Sequence, residues 1–307
     1  MKRTNTLPEN REAWLALRGQ DITSTDVAAL FGLSPYKTRL QLWHEKTGGL
    51  CEDFQETERM KWGTRLQDTI ARGVAEDRGW EVRARNVYSR IEDRRIGSSF
   101  DFEILNHPDG PGLLEIKNVD GLVYRNTWTE EDGGVEAPAH IELQLQHQLL
   151  VTGRTWGAIV ALVGGNDVKV VIRESDPVVQ GDIIDECARF WASVQSGVAP
   201  EPKYPEDASV VARLHAHANP GEVVDATGDM ETDDLVSRYR HVASEIKGLE
   251  EIKDSLKAQL LTRIGTAEKV LGNGWSISAG MVEAKEVPAF VRQAYRTFRV
   301  NAKKASK

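Results

Sequence analysis

The chain has 307 residues, 40% of them hydrophobic, with 39 Lys and Arg against 47 Asp and Glu and a formal net charge of −8. That length allows one large or two modest domains around a substantial core. No apolar run approaches a membrane span, and the opening Met1-Lys2-Arg3-Thr4-Asn5 does not read as a signal peptide. Cys51 and Cys187 make neither a metal cluster nor a disulfide framework, which points to a reducing cytosol. The acidic balance argues against indiscriminate coating of nucleic acid but leaves room for a local basic channel.

Asn10 to Leu17 predicts a short helix capped by Asn10 and broken by Arg18-Gly19-Gln20-Asp21. Ile22 to Gly32 predicts a second, with the hydroxyl cluster Thr23-Ser24-Thr25 as its cap and Gly32 as its stop. Such a helix start near an arginine is either a phosphate seat or simply a capped helix. Thr38 to Lys46 predicts a third helix, and Glu56 to Arg78 a long one with Met60, Leu66, Ile70 and Val74 on one face. Trp80 to Ile91 alternates and predicts one strand or two short ones. Arg83, Arg85, Arg90, Arg94 and Arg95 make this region the densest in basic residues of the first half, as a solvated face or the flank of a DNA path.

Phe100 to Leu105 and Leu113 to Val119 predict adjacent hairpin strands around the turn formers of 107–112. Asp120 to Pro138 predicts an irregular connection. Ala139 to Val151 is a helix, Ala158 to Val163 and Val168 to Ile172 a hairpin, and Asp176 to Ser196 a further helix. The order of elements implies an α/β core with a small mixed sheet. The proline-bearing stretch 201–233 reads as a linker between a core at 1–200 and an extension at 234–307. That extension begins with a long helix, Asp234 to Ile264, whose apolar residues require a partner surface, and continues as a hairpin around Gly272-Asn273-Gly274. From Val287 onward the chain is basic and aromatic, with Arg292, Arg296 and Arg299 spaced by three or four, as a DNA-binding stripe or a solvated tail.

The chemistry concentrates on the central hairpin. Residues two apart on a strand share a face, so Glu115 and Lys117 project together and Ile116 faces away, with Asp101 on the neighbouring strand. Two carboxylates and a lysine at one sheet edge suit phosphodiester hydrolysis assisted by a hard cation such as magnesium, with the lysine positioning water or neutralising charge on phosphate. The alternative is an exposed Glu-Lys pair and an unrelated Asp, which spacing alone favours.

Several ordered pieces are similar to one family: Trp14 to Arg18 followed by Ile22-Thr23-Ser24-Thr25, Trp62-Gly63-Thr64-Arg65-Leu66-Gln67, Ser99-Phe100-Asp101, Leu114-Glu115-Ile116-Lys117, and Gln144 to His147 with Val151-Thr152-Gly153. Over about residues 10–200 the chain resembles the phage lambda exonuclease and YqaJ-like viral recombinases of the PD-(D/E)XK nuclease superfamily. The resemblance implies a restriction-endonuclease-like α/β fold, with a central mixed sheet flanked by helices and a long helix, hairpin and basic tail beyond it. It implies Asp101, Glu115 and the Ile116 carbonyl as ligands of Mg2+ (with Mn2+ as a substitute), Lys117 as the catalytic lysine and Gln144 as its support. Arg18, Ser24, Thr25 and Ser99 match the region that grips a 5′-phosphate. One departure stands out: Gln67 occupies the place of a glutamate, and an amide carries no charge.

The resulting expectation is a Mg2+-dependent exonuclease of a bacterial host's cytoplasm, of phage or prophage origin. It would degrade linear duplex DNA 5′ to 3′ and leave 3′ tails for a single-strand annealing protein, with assembly into a homo-oligomer left open. The rivals are a structure-specific or nicking endonuclease on the same fold, and a catalytically weak DNA-binding scaffold.

Overall fold

The computed structural model describes residues 1–50, 56–131, 133–286, 291 and 294–300. It divides into two units, Met1–Leu214 and His215–Lys307. The first begins with β1 (Arg3–Thr6), α1 (Arg11–Gln20), α2 (Val27–Leu30), α3 (Arg39–Lys46) and α4 (Glu58–Arg78). The strands β2 (Val82–Ala84), β3 (Tyr88–Ile91), β4 (Ile96–Ser98), β5 (Phe102–Ile104) and β6 (Gly112–Val119) follow. Then come α5 (Gly121–Thr127), β7 (Thr129–Glu131), β8 (Gly134–Glu136), α6 (Ala139–Thr152), β9 (Trp156–Val163), β10 (Asp167–Glu174), α7 (Pro177–Ser196) and α8 (Ala208–Leu214).

The central sheet runs β10-β9-β6-β5-β2 and is mixed, with β6 and β9 parallel and the other neighbours antiparallel. Parallel neighbours need a long crossover, and α6 lies in it. After α5, β7 and β8, this places α6 across the face of the sheet on which the strand β6 presents Glu115 and Lys117. Alternation along the strands then supplies both faces. Leu114, Ile116, Ala158 and Val160 pack with Ile70, Ala71 and Val74 of α4. Leu113, Ile159 and Ala161 pack with Ile141, Leu145 and Leu149 of α6. Each buried Leu or Ile contributes on the order of 1.5–3 kcal/mol.

A third cluster joins Ile22, Val27, Leu42, Ile91, Ile96, Phe190 and Trp191 around a small sheet ordered β1-β3-β4. Ile22 bridges to Ile96 there. Gly97 sits where a Cβ would collide with the Asp21 carboxylate and the Tyr88 ring, so only glycine allows that approach.

Several expectations are corrected. The α1 helix is capped by Asn10 as predicted, but it runs through Gly19 to Gln20, so Arg18 belongs to its last turn. The second helix is only the four residues Val27–Leu30. Its hydroxyl stretch forms a turn instead, because the Thr23 amide and hydroxyl both donate to Asp26 Oδ2, at 3.2 and 2.8 Å. Such local side-chain bonds compete with helix formation. The connection 120–138 is ordered: Asp120 caps α5 by accepting from the Leu122 and Val123 amides, and β7 pairs with β8. The 80–91 stretch does form two short strands, one of the two forms expected, and they belong to different sheets. The stretch expected to be a linker carries α8, whose Val210 is buried.

The second unit holds α9 (Met230–Ile264) and the hairpin β11 (Lys269–Gly272) and β12 (Trp275–Ser278), as the periodicity predicts. No residue of α9 is buried. Within this unit Phe298 meets Tyr239 edge-on at 5.7 Å, and Arg296 donates to the His215 carbonyl at 2.9 Å. Arg292 lies outside the described residues. Among the described residues no helix is long and apolar enough to cross a membrane.

His147 of α6 is fully buried, with Nε2 3.1 Å from the Ile22 carbonyl and no partner on Nδ1. The ring is therefore neutral, with its proton on Nε2. Burial pushes its pKa down to about 4, against the smaller opposing pulls of the Ile22 carbonyl and Asp26. Between that value and the ordinary one near 6.5, the unfolded chain takes a proton that the folded chain refuses. Stability from this group is full above that window and falls by about 3 kcal/mol as pH drops through it. Urea denaturation of wild type and His147→Gln at pH 7, 5 and 4 checks this. The variant should lose much less stability on acidification, and parallel losses would refute the assignment.

Candidate active site

The antiparallel register pairs Phe102 with Leu114, which puts Asp101 beside Glu115 one step further along. Asp101 Oδ2 accepts from the Ile116 amide at 2.9 Å, and Oδ1 from Gln67 Nε2 at 3.0 Å. Glu115 is 4% exposed. Its Oε1 accepts from Lys117 Nζ at 2.7 Å and Gln144 Nε2 at 2.5 Å, and its Oε2 from Gln148 Nε2 at 2.8 Å. Lys117 also donates to Gln144 Oε1 at 2.9 Å. The strand pair thus supplies the charges and two helices supply the amides that orient them.

The charges perturb one another. Burial, then the nearby Glu115 charge, push the Asp101 carboxyl up to about 7, against the Ile116 amide and Lys117. For Lys117, burial works to lower the pKa, but the charge and hydrogen bond of Glu115, with Asp101, outweigh it and raise the pKa. Lys117 is therefore an ammonium, suited to neutralising anionic charge and unsuited to acting as a base.

This donor set fits a hard divalent cation. Two carboxylates share one lysine, and a carboxylate has about four lone-pair sites, of which Asp101 spends two and Glu115 three on the bonds above. Among the described residues no group of three His, Cys, Asp or Glu forms an all-side-chain metal site. Magnesium is commonly held by one or two carboxylates with water and substrate oxygens. Gln67 reaches the site, but its NH2 group is spent on Asp101. Asp68 pairs with Arg72 at 2.7 Å and is exposed.

A second cluster adjoins the first. Arg18 Nη2 donates to Thr25 Oγ1 at 3.0 Å and its guanidinium lies over the Trp14 ring at 4.6 Å. Trp14 Nε1 donates to Ser99 Oγ at 2.9 Å. Thr25 and Arg18 thus come together with Ser99. Ser24 is buried and accepts from Ser98 Oγ at 2.8 Å. Sequence reasoning passed over Gln148, which links the clusters by donating to the Ser99 carbonyl at 3.2 Å as well as to Glu115. Its signal was its position one helical turn after Gln144.

The basic region 83–95 separates. Arg90 pairs with buried Asp21 at 2.7 Å, Arg94 with Asp93 at 3.6 Å, and Arg95 lies on the Trp191 ring at 3.3 Å. Arg83 and Arg85 share buried Glu103 with Arg154, three cations against one anion.

An acid just before one strand, Glu-x-Lys on the next, and helices on both faces of a mixed sheet are the α/β arrangement that the resemblance to PD-(D/E)XK nucleases implies. Residues 13–155 match the family model described as YqaJ-like viral recombinase domain, the family that the motifs resemble. The chain is 25% identical over 276 residues to "Uncharacterized protein YqaJ" of Bacillus subtilis (strain 168), covering 87% of this chain and 83% of that protein. It is similar to the crystal structure of an alkaline exonuclease from Laribacter hongkongensis, with a TM-score of 0.49, 19% identity, and 65% of this chain and 98% of that one covered. A phage related exonuclease from Haemophilus somnus 129PT aligns at a TM-score of 0.39 and 8% identity, over 58% of this chain and 96% of that one.

Because Gln148 holds both Glu115 and the Ser99 turn, Gln148→Ala should lower turnover on DNA by roughly 10- to 100-fold, as loss of an orienting partner does elsewhere. Circular dichroism should show an unchanged fold. Wild-type turnover in the variant would remove Gln148 from the site.

Proposed function

We propose that this protein is a divalent-metal-dependent DNA nuclease of the phage-recombination type that degrades linear duplex 5′ to 3′ and leaves 3′ single-stranded tails. The observation that carries the reading is the recessed Asp101–Glu115–Lys117 cluster held by Gln67, Gln144 and Gln148. The match of residues 13–155 to a viral recombinase domain supports the setting.

Asp101 and Glu115, with the Ile116 carbonyl, would hold Mg2+ or Mn2+. When bound, such an ion polarises the scissile phosphate and lowers the pKa of the attacking water. Lys117 contributes a fixed positive charge beside the reacting phosphate, where charge accumulates in the transition state. Gln144 keeps that ammonium aimed by accepting from it. Arg18 and Thr25, with Ser99 nearby, form the seat for a terminal 5′-phosphate, an arginine being suited to phosphate oxygens. Ser24 shapes the seat from beneath. The basic residues Arg292, Arg296 and Arg299 would add sequence-independent DNA contacts from the second unit. The products would pass to a single-strand annealing protein in the cytoplasm of a bacterial host.

End-labelled linear duplex, with and without 5′-phosphate, compared with closed circular duplex in Mg2+, tests the reading. Linear DNA should be degraded, the 5′-phosphate should favour it, and the circle should survive. Equal cutting of the circle would favour an endonuclease, and binding without any cleavage would favour a scaffold. Lys117→Ala should abolish cleavage and leave DNA binding in place, whereas full activity in that variant would end the nuclease assignment.

Gln67→Glu provides an independent check on the metal. The variant sets a third carboxylate against Asp101, so it should melt lower than wild type without metal and gain more on addition of Mg2+. Identical metal-induced shifts in melting temperature would count against an ion at Asp101.

A further inference from the structure

The two rings at the mouth of the site have no part in the chemistry above. Tyr36 is 82% exposed. It meets His140 edge to face, with ring centroids 5.9 Å apart at an interplanar angle of 83°. His140 lies in the first turn of α6, one turn before Gln144, so it shares the face that holds Lys117. Both rings lie within electrostatic reach of the Lys117 ammonium.

The Tyr36 ring stands on an anchored turn. Ser34 Oγ accepts from the Tyr36 and Lys37 amides, each at 3.2 Å. Lys37 pairs with Glu45 at 2.5 Å and with Asp26 at 3.4 Å, and Thr38 caps α3. Single exposed aromatics are ordinary on protein surfaces. Tyr36 differs because its backbone is fixed on both sides, and because its partner ring shares a helix face with the residue that aims Lys117.

The site is also recessed, since Glu115 is 4% exposed and the Lys117 side chain 24% exposed. A phosphate reaches such a site far more readily on a single strand than within an intact duplex. The nucleotide being cut must therefore leave its stack, which costs free energy that a new stacking partner can offset. We infer that Tyr36 and His140 form a stacking platform for the base of the nucleotide that is released from the duplex at the cutting site. The inference rests on the nuclease reading and adds to it a base contact that is indifferent to sequence, because every base has a π-face.

The test uses full-length protein and two linear duplexes, one with an ordinary 5′-terminal nucleotide and one abasic at that position. Wild type should prefer the ordinary end. Tyr36→Ala should raise KM for it by roughly 5- to 150-fold, the loss of one stacked base, and should no longer distinguish the two ends. Tyr36→Phe should behave as wild type, and His140→Ala should lose part of the discrimination. If Tyr36→Ala keeps the wild-type preference, or slows both substrates equally, the platform is refuted while the nuclease reading stands. If wild type cuts neither substrate in Mg2+ or Mn2+, the nuclease reading fails and the platform falls with it.

Discussion

Two carboxylates and an ammonium largely withdrawn from water in one small volume are the constraint on which the rest of the site depends. Buried charges are tolerated only when paired and hydrogen-bonded. Asp101 and Glu115 repel each other, which is part of why the Asp101 carboxyl is held up near 7. Lys117 offsets one negative charge and leaves the other. The neighbouring elements supply donors: an amide from α4, two from α6 and the backbone N–H of Ile116. Remaining lone pairs and uncompensated charge are what a hard cation would take up. The same arrangement therefore accounts for the recessed geometry, for the three glutamines and for the protonated lysine.

Much of this was legible in the residues. The buried run 113–119 and its period of two placed Glu115 and Lys117 on one face, and the turn formers before it placed Asp101 alongside. Helix periodicity located α4, α6, α7 and α9 to within a few residues. Two of the misreadings share a cause, since they lie where short-range polar bonds override a pattern. Thr23 and Asp26 bond to each other and shorten the second helix. Asp120 caps α5 in a stretch whose apolar residues show no clear period. Gln148 was given no role because its one signal, a place one turn after Gln144, gains meaning only once the crossover topology sets that helix over β6.

The arginines show the same limit. Five of them between positions 83 and 95 read as one basic face. The fold distributes them, with Arg90 spent on buried Asp21 and Arg95 on Trp191, while Arg83 and Arg85 gather with Arg154 around Glu103. Charge density along a chain is not charge density on a surface. The net charge of −8 likewise says nothing of where on the surface the remaining cations lie.

The most direct measurement of the central claim is Mn2+ binding followed by electron paramagnetic resonance, on wild type and on Glu115→Gln. That substitution keeps the shape of the side chain and removes its charge. If Asp101 and Glu115 together hold the ion, wild type should bind Mn2+ and the variant should lose that binding while its circular dichroism stays unchanged. Equal binding by both proteins, or none by wild type, would contradict the account.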